Sequence, residues 1–144
     1  MSMRRESRFV WLAAAVLMLA SCGDDEDDTD FDAELTGAAE RPTPVSTAAT
    51  GEVEATLQDL VLTVAGDFQG LTGPATAAHV HGPATEEEAA GVLCPLVATA
   101  AASGTVIGTC TLTEEQVGQL RDGLMYVNVH TGQYPQGEIR GQLD

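Results

Sequence analysis

The sequence predicts an all-β domain: a Greek-key-like antiparallel β-sandwich of about eight short strands with one short connecting helix. Three observations lead there. Apolar residues recur at every second position in runs of five to nine residues, the period of a strand with one buried face. Gly, Pro and Asp signals break those runs at short intervals, as in sandwiches and barrels. One stretch alone carries a helix signature, a capping box at Thr113.

The elements follow in order. Residues 31–35 form a first short strand, and residues 40–48, with Pro42 and Pro44, a loop. Residues 52–57 (EVEATL) alternate polar and apolar, and Gln58-Asp59 turns the chain into residues 60–65 (LVLTVA). Residues 66–74 hold three glycines and read as broken structure. Residues 75–81 are a strand stopped by Gly82-Pro83, and Glu86, Glu87 and Glu88 sit in the loop that follows, as a solvated face. Residues 92–99 and 104–112 form a hairpin around Ala101-Ala102-Ser103. Thr113 then caps a helix of about two turns: Gln116 completes the box, Leu112 and Val117 take the two places of a hydrophobic staple, and Gly123 stops it. Residues 124–131 and 138–143 are the last strands.

The amino terminus reads differently. Arg4, Arg5 and Arg8 precede an uncharged apolar run of 12 residues, 9–20. That is short for roughly 30 Å of hydrocarbon but normal for a signal peptide. The run ends in Leu19-Ala20-Ser21-Cys22, which resembles the bacterial lipobox. The resemblance implies a lipoprotein signal peptide over residues 1–21, lipidation of Cys22, and a domain tethered outside the cytoplasm at the bacterial cell envelope, in the periplasm or at the cell surface. Two or three acyl chains anchor stably, whereas one alone is marginal. Residues 22–30 form an acidic tether in which like charges repel and nothing can pack. The β domain spans residues 31–144.

Removing residues 1–21 takes away three of the six basic side chains and one of the 22 acidic ones, leaving a net charge of −18 on 123 residues. Such a surface repels phosphate backbones, which excludes nucleic acid as a partner. It repels anionic headgroups too, so the lipid is the expected membrane contact. Cys94 and Cys110 remain as an even pair in an oxidising compartment. Each lies eight residues from Ala102, so a regular hairpin sets them opposite each other, within reach of a disulfide. Two buried free thiols are the alternative, and a one-residue bulge would spoil the register.

All three histidines fall in strand motifs, Ala78-His79-Val80-His81 and Tyr126-Val127-Asn128-Val129-His130. Alternation puts His79 and His81 on one face of their strand, Asn128 and His130 with Tyr126 on one face of theirs, and Glu138, Arg140 and Gln142 on one face of the last. If these polar faces adjoin, three imidazoles, a carboxylate and a guanidinium share one patch. Imidazoles two residues apart on a strand, with a third from a neighbour, make a three-nitrogen site suited to copper or zinc. Glu138 then ligates or orients a ring. The other reading is a hydrogen-bonded network of His, Asn128, Glu138 and Arg140, with Glu138 paired to Arg140 or to an imidazole and no cofactor.

The segments AHVHGPA (78–84), LTEEQVGQLRDGLMYVNVHT (112–131) and PQGEIRGQL (135–143) strongly resemble the CHRD domain, named from chordin and found also in bacterial secreted proteins and lipoproteins. The resemblance covers nearly all of residues 31–144 and implies an all-β, sandwich-like domain without implying an activity. The His79-Val80-His81 pair is also similar to copper ligands of copper–zinc superoxide dismutases. Those enzymes need further histidines for their second metal, and only His130 remains here.

Other chemistry finds little material. The mature domain has two serines and no nucleophile elbow, no phosphate-cradling glycine motif, and four aromatic residues. The expectation is therefore a non-enzymatic binding or structural module whose partner is an unnamed protein or surface ligand. The alternative is a copper- or zinc-binding protein using His79, His81 and His130, with a superoxide dismutase-like enzyme as its minor extension.

Overall fold

The computed structural model describes residues 29–144. The expected signal peptide 1–21, the expected lipidation site Cys22 and all but the last two residues of the expected acidic tether lie outside the described residues. The tether's final residue, Asp30, already belongs to the first strand.

Strand β1 (Asp30–Thr36) runs into a single 3-10 turn (Gly37–Ala39) and a long loop. Strands β2 (Thr50–Gln58) and β3 (Val61–Gln69) form a hairpin turned by Asp59 and Leu60, with Asp59 in the left-handed region at φ 55°. Strands β4 (Ala75–His81), β5 (Val92–Ala98) and β6 (Gly104–Thr111) follow, then helix α1 (Glu114–Arg121), β7 (Tyr126–Thr131) and β8 (Ile139–Gln142). β3 is longer than the sequence predicts, because Gly66 continues the strand. A Cβ there would collide with the backbone of Val53 on β2, so glycine permits the close approach. Both halves of the Thr113–Gln116 capping box form, the staple residues Leu112 and Val117 are buried, and Gly123 leaves the helix at φ 70°.

The expected sandwich is instead a closed barrel, ordered β1–β2–β3–β6–β5–β4–β7–β8. Alternation within a strand specifies its buried face but not whether the sheet edges meet. Here they meet: Thr36 pairs with Arg140, and the backbones of Asp32 and Asp144 exchange both hydrogen bonds. Closure removes the free edges of an open sheet. The chain passes from β3 to β4 over two intervening strands, and from β6 to β7 through α1, so the Greek-key-like connectivity holds.

The two seams are short. At one, β5 pairs with β6 only through Val97↔Ile107 and Ala98↔Val106. Pro95 has no N–H to extend that ladder, and the Cys94–Cys110 disulfide carries the register onward with its Cα atoms 5.8 Å apart. At the other, β8 meets β1. The barrel is thus two four-stranded halves, β1–β2–β3–β6 and β5–β4–β7–β8. Inward residues of both, including Leu35, Val53, Leu62, Val80, Val127 and Ile139, fill one core. Each such buried aliphatic side chain stabilises by roughly 1.5–3 kcal/mol.

Candidate functional site

Strands β4, β7 and β8 are neighbours, so their polar faces do adjoin. The register sets His79 opposite Asn128, His81 opposite Tyr126, and Asn128 opposite Arg140. Val80, Val127, Val129 and Ile139 point inward, leaving the polar set on the outside of the barrel. Yet every residue of β7 is buried. The loops around it bond to this face: His81 and Tyr126 reach Ala90, Gln142 reaches Ala84, His130 reaches Pro135 and Asn128 reaches Gln136.

The three histidines converge. Each offers a nitrogen, and the three nitrogens lie within 4.8 Å of one another. His79 Nδ1 and His130 Nε2 are 3.0 Å apart. Nitrogens sharing an ion at about 2.0–2.1 Å lie roughly 3.3 Å from each other, so small ring movements complete a three-nitrogen set. Among the described residues this is the one group of His, Cys, Asp or Glu side chains placed to share an ion.

Backbone carbonyls decide which nitrogens are offered. Ala90 O lies 3.0 Å from His81 Nδ1, and Pro135 O lies 3.0 Å from His130 Nδ1. A carbonyl only accepts, so both Nδ1 atoms carry hydrogen and both Nε2 lone pairs are directed elsewhere. This is the outer support that metal-ligating imidazoles use to hold tautomer and orientation. His81 Nε2 meets the Asn128 amide, 2.9 Å from Oδ1. Burial pushes all three imidazoles below their ordinary pKa, opposed at His81 and His130 by the backbone carbonyls. Neutral rings, the ligating form, follow at pH 7.

Arg140 and Tyr126 brace the site. The His81 ring stacks on Tyr126, 4.8 Å between centroids and 1° between planes, and Arg140 Cζ lies 3.5 Å from the Tyr126 centroid. The guanidinium donates to Glu88 O at 2.7 Å, Thr85 O at 3.0 Å and Gln142 Oε1 at 3.2 Å, fastening the 82–91 loop beside His81. Glu86, Glu87 and Glu88 keep exposed side chains, as expected of a solvated face.

Glu138 departs from expectation. It contacts neither an imidazole nor Arg140, because its carboxylate is taken up by threonines. Oε1 accepts from Thr47 Oγ1 and Thr72 N, and Oε2 from Thr72 Oγ1 and Thr131 Oγ1, at 2.8–3.0 Å. Burial alone raises this carboxyl, but those hydrogen bonds together hold it below the ordinary carboxylate value. Glu138 thus clasps the 40–49 and 70–74 loops to β7 and is no ligand.

Sequence reasoning missed Glu40, in the Pro-bracketed loop. It is 3% exposed, and burial pushes its carboxyl up to about 7 against the pull of Arg140, Asn128 and the Arg41 backbone. Its Oε1 is buried without a hydrogen-bond partner. No periodicity marks a lone acid in a loop, and only the closure of β1 onto β8 carries it to β7. A surface depression of about 610 Å³ on β1–β2–β3 shares no residue with the histidine site and runs along exposed Asp32, Glu34, Glu52 and Asp67. It is wide open, and its carboxylates do not converge.

A family model for the CHRD domain matches residues 31–143, which takes in the three strands of this site and every loop that covers them. Comparison with curated proteins and with solved structures gave no match.

Proposed function

We propose, for a chain that belongs to the CHRD domain family, a non-enzymatic envelope module that binds one copper or zinc ion through His79, His81 and His130. One observation supports this above all: three neutral imidazoles converge within 4.8 Å, two of them held in the Nε2-offering tautomer by backbone carbonyls. Copper or zinc suits such a set, and the half-buried His79 leaves the fourth position open to water or a ligand. Among the described residues Glu138 is occupied by threonines and Glu40 approaches the histidines only through Asn128, so the arrangement favours holding an ion over catalysis. The lipobox and acidic tether add that the module is displayed on a lipid anchor at Cys22.

A competing reading rests on the same bonds. His79–His130 is mutually satisfied, and His81–Asn128 is satisfied once the Asn128 amide presents its NH2 to Nε2, which suits a purely structural network. Metal analysis of the purified protein without a histidine tag separates the two. Stoichiometric copper or zinc, lost in a folded His79→Ala/His81→Ala variant, is expected; full stability with no ion bound after reconstitution leaves only the network. Palmitate labelling that vanishes in Cys22→Ala tests the anchor.

A further inference from the structure

The proton count around Asn128 singles out Glu40. His81 Nδ1 carries a hydrogen for Ala90 O. His81 is buried and stacked on Tyr126, whose ring also carries the Arg140 guanidinium, so a second proton would set two cations against one buried ring. Its Nε2 is then a bare lone pair. An oxygen of Asn128 facing it at 2.9 Å would demand a cationic His81 close to the buried Arg140. The two ends of an Asn amide have the same shape, so Asn128 meets the demand by turning its NH2 to the ring. Its oxygen then faces Gln136 O and Glu40. Gln136 O cannot donate. A protonated Glu40 can: its Oε1 is buried and makes no well-formed hydrogen bond, and the side chain that approaches it is the far end of the Asn128 amide, over the bare Cα of Gly137.

We propose that Glu40 is an internal acid whose proton holds the Asn128 amide, and through it keeps His81 Nε2 as a hydrogen-bonded lone pair that is released only when Glu40 ionises. Glu40 is a positioning residue, for it touches no imidazole that would ligate. When Nε2 is taken by an ion, Asn128 turns its NH2 to Glu40, the carboxyl becomes a carboxylate, and its proton leaves to solvent. The new negative charge offsets part of the ion's charge. This second half rests on the metal reading; the first half does not. Arg140 from β8 faces Glu40 and the Arg41 backbone N–H donates toward it, with Glu86 near Arg140 and Glu87 paired to the Arg41 guanidinium. The arginines keep their charge between pH 5 and 8. His81 and His130 titrate with the opposite sign, so the comparison must be made against a variant.

The test uses the full chain and Glu40→Gln, whose amide donates at every pH. In EDTA, the stability gained from a raised carboxyl is present below its ordinary value and lost as pH rises through about 7. The variant's melting temperature should therefore climb relative to wild type by roughly 5 °C between pH 5 and 8; parallel profiles overturn the proposal. Nitrogen-15 shifts of His81 in the wild type at about pH 6 should show Nδ1–H and a bare Nε2, and an imidazolium overturns it too. Titration with Zn²⁺ at about pH 6 should release about one more proton per ion from wild type than from Glu40→Gln, with roughly tenfold weaker binding by the variant. Equal release sinks the ligation half. Diverging profiles in EDTA with no zinc bound by either protein would sink the metal reading and leave the internal acid standing.

Discussion

The two halves of the barrel bury the same kind of inner face and treat their outer faces in opposite ways. On β1–β2–β3 the outer face is a solvated row of carboxylates: Glu34 opposes Glu52, Glu52 opposes Asp67, and Asp32 opposes Glu54, all exposed. On β4–β7–β8 the outer face is sealed beneath loops, with His81, Asn128, His130 and Arg140 all buried. Like charges directly opposite each other cost little in water. Buried polar groups cost far more unless hydrogen-bonded. The molecule thus concentrates its costly polar chemistry on one half and leaves the other to keep it soluble.

The largest expected blow to that contrast is Glu138→Ala, which strips four short hydrogen bonds and leaves the buried Thr131 hydroxyl unpaired. Denaturant titration should show a loss of about 4 kcal/mol. The wild-type carboxyl sits below its ordinary value, so its contribution is present above that value and lost as pH falls through the lowered one. The variant should accordingly show a shallower acid limb in stability-against-pH curves. Cutting the staple between the halves ranks next. Cys94→Ser/Cys110→Ser should cost about 3 kcal/mol, measured by thermal unfolding, because the β5–β6 ladder offers only two residue pairs to hold the seam. The smallest effect is expected on the solvated half. Glu52→Lys, between Glu34 and Asp67, should stabilise by about 0.5 kcal/mol at low salt and by nothing measurable in 1 M salt. A loss there instead would mean that the acidic row has a structural role.

Much of this was legible locally. Val80, Val127, Val129 and Ile139 announce their inward faces by period two, and the same period places His79, His81, Asn128, His130 and Arg140 outward. Cys94 and Cys110 announce their register through equal distances from Ala102. Thr113 and Gln116 mark a helix start by chemistry confined to four residues. Glu138 misled because a carboxylate two residues from Arg140 on one strand face suggests a pair, whereas Thr47 and Thr72 arrive from loops 91 and 66 residues away in sequence. Glu40 was invisible for the same reason.

What the sequence determined by itself are properties set by neighbours along the chain: which elements form, which face of each is apolar, the hairpin that sets Cys94 against Cys110, the helix cap, and the order of the CHRD motifs. The tertiary structure alone decided that the sheet closes into a barrel, that β4, β7 and β8 lie side by side so that three histidines converge, and that loops seal them in. Closure and loop docking depend on contacts tens of residues apart, whose burial and hydrogen bonding no local period encodes.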